Sequence, residues 1–316
     1  MNKYYIQFAT DFHLLAALAA IDDVMKSAVV FVGPQTSMSL LLAEKISAEL
    51  VIADPRKPRI TLGEILALTL RSRHCKRCII ISPFVFPFYT FKHLLEAGCC
   101  ATKIVRTDEG VGSYASVGHF YTSLKLANPA KSSFHCAAIA VAKKTAIWAT
   151  KLCRICNENY IFREDLSVRQ DGVARLRRNI SLVGRLDGLN DKAVYVSQPG
   201  VLGSFDSPEE YVAFIRRVGK SVGRGNVIVK KHPSDGFDYS KHGLAVVEGY
   251  PLELYRLEDS VVFGFSSTAL LIAKITNSCE FVYYIKMPGV GPFYSALSPM
   301  NKRLFDRYLE PLNYTR

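Results

Sequence analysis

Residues 4–33 read YYIQFATDFHLLAALAAIDDVMKSAVVFVG. A short apolar run, YYIQFA, leads into a helical stretch expected over Asp11 to Met25, and a second apolar run, AVVFVG, follows. Short buried strands separated by helices are the pattern of a parallel sheet covered on both faces. Moving outward, the alternation continues through a helix expected over Thr36 to Glu49, the strand CIIIS, a helical stretch from Phe91 to Ala97 and the strand KIVRT. Residues 1–165 therefore read as a Rossmann-like lobe.

Between Phe162 and Leu189 the chain turns basic and polar, FREDLSVRQDGVARLRRNISLVGRLDGL, without a long apolar run. The domain boundary is expected here, with residues 166–189 as a linker. Alternation then resumes with AVYVS, a helix over Ser207 to Val222, NVIVK, LAVVEG, SVVFGF, a helix over Ser267 to Thr276, and EFVYYI. Residues 190–316 read as a second α/β lobe, related to the first in pattern only. A length of 316 residues fits two such lobes, since single cores usually stop growing below that size.

Apolar residues make up 49% of the chain and charged residues 22%, which excludes a disordered tail. The formal charge of +12 favours anionic partners. The basic residues recur throughout and accompany no nucleic-acid-binding motif, so the expected partner is an anionic substrate or a membrane surface rather than nucleic acid. The strand-like start MNKYYIQFAT lacks the layout of a signal peptide, and a cytoplasmic location is expected. Cys136 to Leu152 is too short to cross a bilayer and is interrupted by Lys143-Lys144, so it reads as a buried or interfacial helix. Cys75-x-x-Cys78 and Cys153-x-x-Cys156 are too far apart for a compact zinc ribbon and read as thiols.

In open α/β sheets, ligands sit at the carboxyl ends of strands. Polar clusters occupy five such ends: Thr10-Asp11, with His13 just beyond; Asp108-Glu109-Gly110; Gln198-Pro199; His232-Pro233; and Ser266-Ser267-Thr268. Together they are expected to outline a cleft between lobes. The three hydroxyls precede ALLIAKI, so they and the helix N–H groups could hold a phosphate or simply cap the helix. His232, beside Lys230 and Lys231 and fixed by Pro233, can donate to a departing phosphate. Asp108 and Glu109 are adjacent and point to opposite sides in extended geometry, so either could be a general base. Glu253 could hold a ribose or merely favour a helix start. Asp22-Asp23 is read as lying inside a helix and no Asp-x-Asp stands at a strand end, so no metal site is assigned.

In their order, Asp108-Glu109-Gly110, His232-Pro233 and Ser266-Ser267 resemble the motifs of the bacterial sialyltransferases, the lipooligosaccharide and capsular polysialyltransferases among them. FATDFHLLAALAA looks like that family's first strand and helix, and YVSQPG like the segment opening its second lobe. The resemblance implies a GT-B fold with two facing Rossmann-like lobes, CMP-sialic acid as donor, no cofactor and no metal. It implies Asp108 or Glu109 as the base, His232 assisting CMP departure, Ser266 and Ser267 binding the phosphate, and Glu253 holding the ribose. The donor side thus gathers Gln198, Lys231, Pro233 and Thr268 around those residues, and the acceptor side Thr10, Asp11, His13 and Gly110. The function expected is an inverting sialyltransferase acting on a bacterial surface glycan, with peripheral association at the inner membrane. Kdo or another nonulosonate as the transferred acid, and a non-catalytic basic α/β binding protein, are the alternatives. The oligomeric state is not readable.

Overall fold

A computed structural model describes residues 3–53, 78–83, 101–108, 116–127, 130–152, 156–163, 165–276, 279–287, 297 and 299–314. The chain forms two compact units. The first comprises Met1–Ser113, Ala142–Arg163 and Ser167–Gly184, and the second Tyr114–Val141, Glu164–Leu166 and Arg185–Arg316.

The first unit runs β1 (Lys3–Gln7), α1 (Asp11–Leu18), β2 (Ala28–Gly33), α2 (Ser37–Ile46), β3 (Glu49–Ile52), β4 (Cys78–Ser82) and β5 (Ala101–Arg106). In the chain α3 (Val117–Ala127) and α4 (Ser133–Leu152) come next, before β6 (Cys156–Glu158) and α5 (Gln170–Val183). These strands pair in parallel, in the order β3-β2-β1-β4-β5-β6. Tyr5, Val30, Val32, Cys78 and Ile80 pack into one buried cluster of this sheet.

Three details differ from the sequence reading. The helix expected to reach Met25 ends at Leu18, so Asp22 and Asp23 lie beyond it. Carboxylates oppose the negative end of a helix dipole, and Asp22 instead pairs with Arg175 of α5 at 2.5 Å. The second helix stops at Ile46, where Ser47 turns left-handed at φ 52°, freeing Glu49 to begin β3. The stretch taken as a linker contains α5, which packs on α1 and α2 through its buried Val173, Leu176 and Ile180. Those three positions recur at helical spacing within a charged sequence. The helix expected over Phe91 to Ala97 lies outside the described residues.

The second unit runs β7 (Ala193–Val196), α6 (Pro208–Ser221), β8 (Val227–Lys230), β9 (Ala245–Val247), β10 (Val261–Gly264), α7 (Thr268–Ile275), β11 (Phe281–Lys286), α8 (Pro299–Tyr308) and β12 (Glu310–Asn313). Its order is β12-β11-β10-β7-β8-β9, again all parallel. Both sheets thus repeat the Rossmann order 3-2-1-4-5-6, with the strand order reversing between β1 and β4 and between β7 and β10. Aromatic side chains dominate the second core: Tyr195, Tyr211, Phe214 and Phe263 are all almost fully buried.

Two glycines permit close backbone approach at the carboxyl ends of strands. A Cβ on Gly33 would stand 2.5 Å from the Phe8 carbonyl oxygen, and one on Gly264 would stand 2.7 Å from that of Val196. Both neighbours are backbone and cannot turn aside. Gly264→Ala should therefore lower the stability of the protein by about 1–3 kcal/mol through enforced overpacking, read as a lower urea midpoint with an unchanged slope; an unchanged midpoint would show that β7 and β10 have room to separate.

Candidate functional site

On the first unit, Thr10 caps α1 by accepting from the His13 N–H at 3.3 Å. Asp11 accepts from the Thr36 hydroxyl at 2.6 Å, tying the start of α1 to the cap of α2. His13 is buried, its Nδ1 accepts from the Ala9 N–H at 3.4 Å, and burial lowers its pKa to about 4. This histidine is neutral at physiological pH. At the end of β4 the Ser82 hydroxyl donates to Gln7 of β1 at 3.4 Å.

Asp108 follows β5, and only 2% of it is exposed. Its Oδ2 accepts the Ile161 N–H at 2.7 Å, linking the end of β5 to the chain beyond β6. The preceding Arg106 is buried, with an ion pair to Glu158 at 3.7 Å. Glu109 and Gly110 lie outside the described residues.

On the second unit the cluster forms around the β7/β10 reversal. Ser197, just past β7, uses its hydroxyl to accept the His232 N–H at 2.9 Å. Gln198 donates through Nε2 to the Ser266 carbonyl at 3.0 Å. That carbonyl fixes the orientation of the amide. The Gln198 Oε1 is left buried with no hydrogen-bond partner among the described residues. Ser267 caps α7 by accepting the Ala269 N–H at 3.3 Å, and Ser266 and Ser267 are both buried. Thr268 opens the helix. Hydroxyls and unsatisfied helix N–H groups at such a terminus suit an anion.

His232 stands at an exposed position on a turn closed by the Asp235 N–H donating to its carbonyl at 2.9 Å. Its Nδ1 accepts the Ser234 N–H at 3.1 Å. The proton of the neutral ring therefore sits on Nε2, the nitrogen not engaged by the turn. Partial desolvation lowers the His232 pKa; Asp235 opposes that shift and Lys230 adds to it. The side chain is thus a neutral hydrogen-bond donor near neutral pH. Pro233 occupies the turn, and Lys231 forms an ion pair with Glu248 at 3.1 Å.

Several residues that support the site escaped the sequence reading. Asp235 accepts from the Phe237 N–H at 3.1 Å and from the Tyr239 hydroxyl at 2.8 Å. Tyr239, Tyr211 and Tyr195 continue a buried hydroxyl chain at 3.0 and 2.8 Å. Burial raises the pKa of all three phenols. This chain anchors the His232 turn to the second core. The spacing His-Pro-Ser-Asp was visible in the sequence, but the three tyrosines are scattered along the chain and only the fold joins them.

Glu253 lies in the first turn of a short 3-10 helix, Leu252–Leu254, and is 2% exposed. Burial raises its pKa to about 7, against smaller opposing effects from its own backbone N–H and Lys230. Lys230 is buried, its ammonium 6.0 Å from the Tyr255 ring centre. Among the described residues no group of three or more His, Cys, Asp or Glu side chains converges as a metal site would require. Cys75 and Cys153 lie outside the described residues, and Cys78 is buried at the start of β4.

Neither a protein-family model nor a curated protein sequence matches the chain. Solved structures do. A 2,6-sialyltransferase of a Vibrionaceae Photobacterium species, in a ternary complex with CMP and lactose, is 10% identical over 98% of this chain and 78% of its own, with a TM-score of 0.51. The fold is GT-B. An α/β-galactoside α-2,3-sialyltransferase of Photobacterium phosphoreum aligns over 98% of both chains at 11% identity and a TM-score of 0.47. A sialyltransferase from Photobacterium damsela aligns over 98% of this chain and 81% of its own, at 10% identity and a TM-score of 0.46. The 10% identity at a TM-score of 0.51 speaks to the fold alone, so function must be argued from the residues.

The raised Glu253 pKa predicts a pH signature. The unfolded chain releases this proton near 4.5 and the folded chain near 7, so Glu253 makes stability fall as pH rises between those values. Glu253→Gln should remove that fall, read as a variant-minus-parent difference in thermal midpoint that grows from pH 4.5 to 7; a difference independent of pH would mean that Glu253 is ionised throughout.

Proposed function

We propose that this protein is a glycosyltransferase, specifically an inverting sialyltransferase that uses CMP-sialic acid and needs no metal, acting on a hydroxyl of a bacterial surface glycan. The observation that carries the reading is the cluster at the β7/β10 reversal, where the His232 Nε2–H past the end of β8 and the Ser266-Ser267 cap of α7 past the end of β10 lie on either side of β7. Neutral donors and a helix terminus there suit a monophosphate leaving group. The literal Asp-Glu-Gly, His-Pro and Ser-Ser motifs and the GT-B fold supply the sugar and the nucleotide.

In the proposed step the acceptor hydroxyl loses its proton to a carboxylate, and its oxygen bonds to the anomeric carbon from the face opposite CMP. The bond to the phosphate oxygen breaks, and its electron pair leaves with CMP. Negative charge grows on that oxygen, where the His232 Nε2–H, the serine hydroxyls and the α7 N–H groups would stabilise it. Glu253, once ionised, would accept from the ribose hydroxyls. The unpartnered Gln198 Oε1 offers a further acceptor to the donor.

Within the acidic pair we assign proton removal to Glu109. Asp108 is buried and its Oδ2 already holds the Ile161 N–H. A carboxylate so committed positions the strand end.

Turnover tests the reading. Purified protein should release CMP slowly from CMP-sialic acid, and faster when a galactosyl acceptor is added, in buffer containing a chelator. His232→Ala should lower kcat by about 10²-fold, and Glu109→Gln should lower transfer by about 10²–10⁴-fold without changing stability. Asp108→Asn should lower stability instead. Release from CMP-Kdo alone would move the donor to another nonulosonate, and no release from any CMP-sugar would leave a binding protein.

A further inference from the structure

At its carboxyl end the first sheet carries polar side chains where a parallel sheet is ordinarily apolar. Gln7, Ser82 and Arg106 are all buried there. Ser82 of β4 stands opposite Arg106 of β5, and Arg106 opposite Glu158 of β6. Residues in register share a face of the sheet, and so do residues two apart along an extended chain. Tyr160, two past Glu158, and Asp108, two past Arg106, therefore belong to the same face. The contacts agree. The Arg106 guanidinium donates a hydrogen bond to the Tyr160 hydroxyl and pairs with Glu158 at 3.7 Å. Burial raises the pKa of the Tyr160 phenol; the Arg106 charge opposes that shift, and the carboxylates of Glu158 and Asp108 add to it. The phenol keeps its proton.

Asp108 also replaces a rung of the β5–β6 ladder. The Asn159 N–H donates to the Arg106 carbonyl at 2.8 Å. Two residues on, the Ile161 N–H donates to the Asp108 carboxylate at 2.7 Å instead of to its carbonyl. A side chain thus takes the place of main chain at the residue before Glu109. We propose that Arg106 and Tyr160 are positioning residues for the transfer: they fix the Asp108 carboxylate that ends the ladder, and through it the point from which Glu109 follows. The proposal rests on the reading of Glu109 as the base. A buried cation stripped of one partner is strongly destabilised, so Arg106, Tyr160 and the two carboxylates hold one another in place. Small displacements matter here, because a misplacement of about 1 Å can cost about 10²-fold in rate.

Arg106 is 3% exposed and its deletion endangers the fold, so the test rests on Tyr160→Phe, which keeps the ring and removes the hydroxyl. In the full chain, transfer to a galactosyl acceptor should lose about tenfold in kcat, the effect of one hydrogen bond to a charged group. The KM for CMP-sialic acid and the affinity for CMP should not change. Arg106→Lys, which keeps the charge and loses the planar fork, should show the same split. In a Glu109→Gln background Tyr160→Phe should cost nothing further, because residues that act through one group are non-additive. An unchanged kcat would overturn the proposal. So would an equal loss with and without Glu109, the mark of a general structural effect. Failure of the underlying reading looks different: the parent itself would transfer nothing to any acceptor, and the proposal would go with it. Failure of the proposal alone leaves the parent active and Tyr160→Phe its equal.

Discussion

The close approach of β7 and β10 at their carboxyl ends is the constraint on which the second unit's polar cluster depends. Gly264 allows it, since any Cβ there would strike the Val196 carbonyl. Once the strands lie that close, Gln198 can reach the Ser266 carbonyl, and Ser267 is set to cap α7. Ser197, one residue past β7, takes the His232 backbone N–H from the end of β8. Three strand ends are thereby joined by short polar contacts, and the order 3-2-1-4-5-6 is what makes those strands neighbours.

The cluster combines groups that stabilise the fold with one that opposes it. Asp235 and the three tyrosine hydroxyls satisfy one another in a buried chain, and satisfied networks of this kind rigidify what they hold. What they hold is the His232 turn. Glu253 is the opposite case, a carboxyl buried with little compensation, whose ionisation costs stability. A buried group that the fold leaves unsatisfied, such as the Gln198 Oε1, is where a ligand's hydrogen bonds gain most.

Much of this was legible in the sequence. The apolar runs YYIQFA, AVVFVG, AVYVS and SVVFGF all became central or near-central strands, because a parallel sheet buried on both faces demands continuous apolar sequence. Weaker elements were not legible. Strand β12, with Glu310 and Pro311, lacks that signature as an edge strand, and α5 hides three core residues among arginines. The motif residues of the second unit were read at the correct strand ends. Their supports were not, since Tyr195, Tyr211 and Tyr239 look like ordinary core residues until the fold aligns their hydroxyls. Asp108 shows the limit most clearly: its spacing marks a carboxylate at a strand end, and only the Ile161 contact shows it committed to backbone.

The central claim is that the β7/β10 reversal holds the phosphate of a cytidine nucleotide. Calorimetric titration of the full chain with CMP and with cytidine, in chelator, tests it most directly. CMP should bind at least about tenfold more tightly, because charge-assisted hydrogen bonds to a phosphate contribute about 1.5–3 kcal/mol each. Equal affinity for CMP and cytidine, or no heat from either at roughly millimolar concentration, near the weak end of specific binding, would contradict the account.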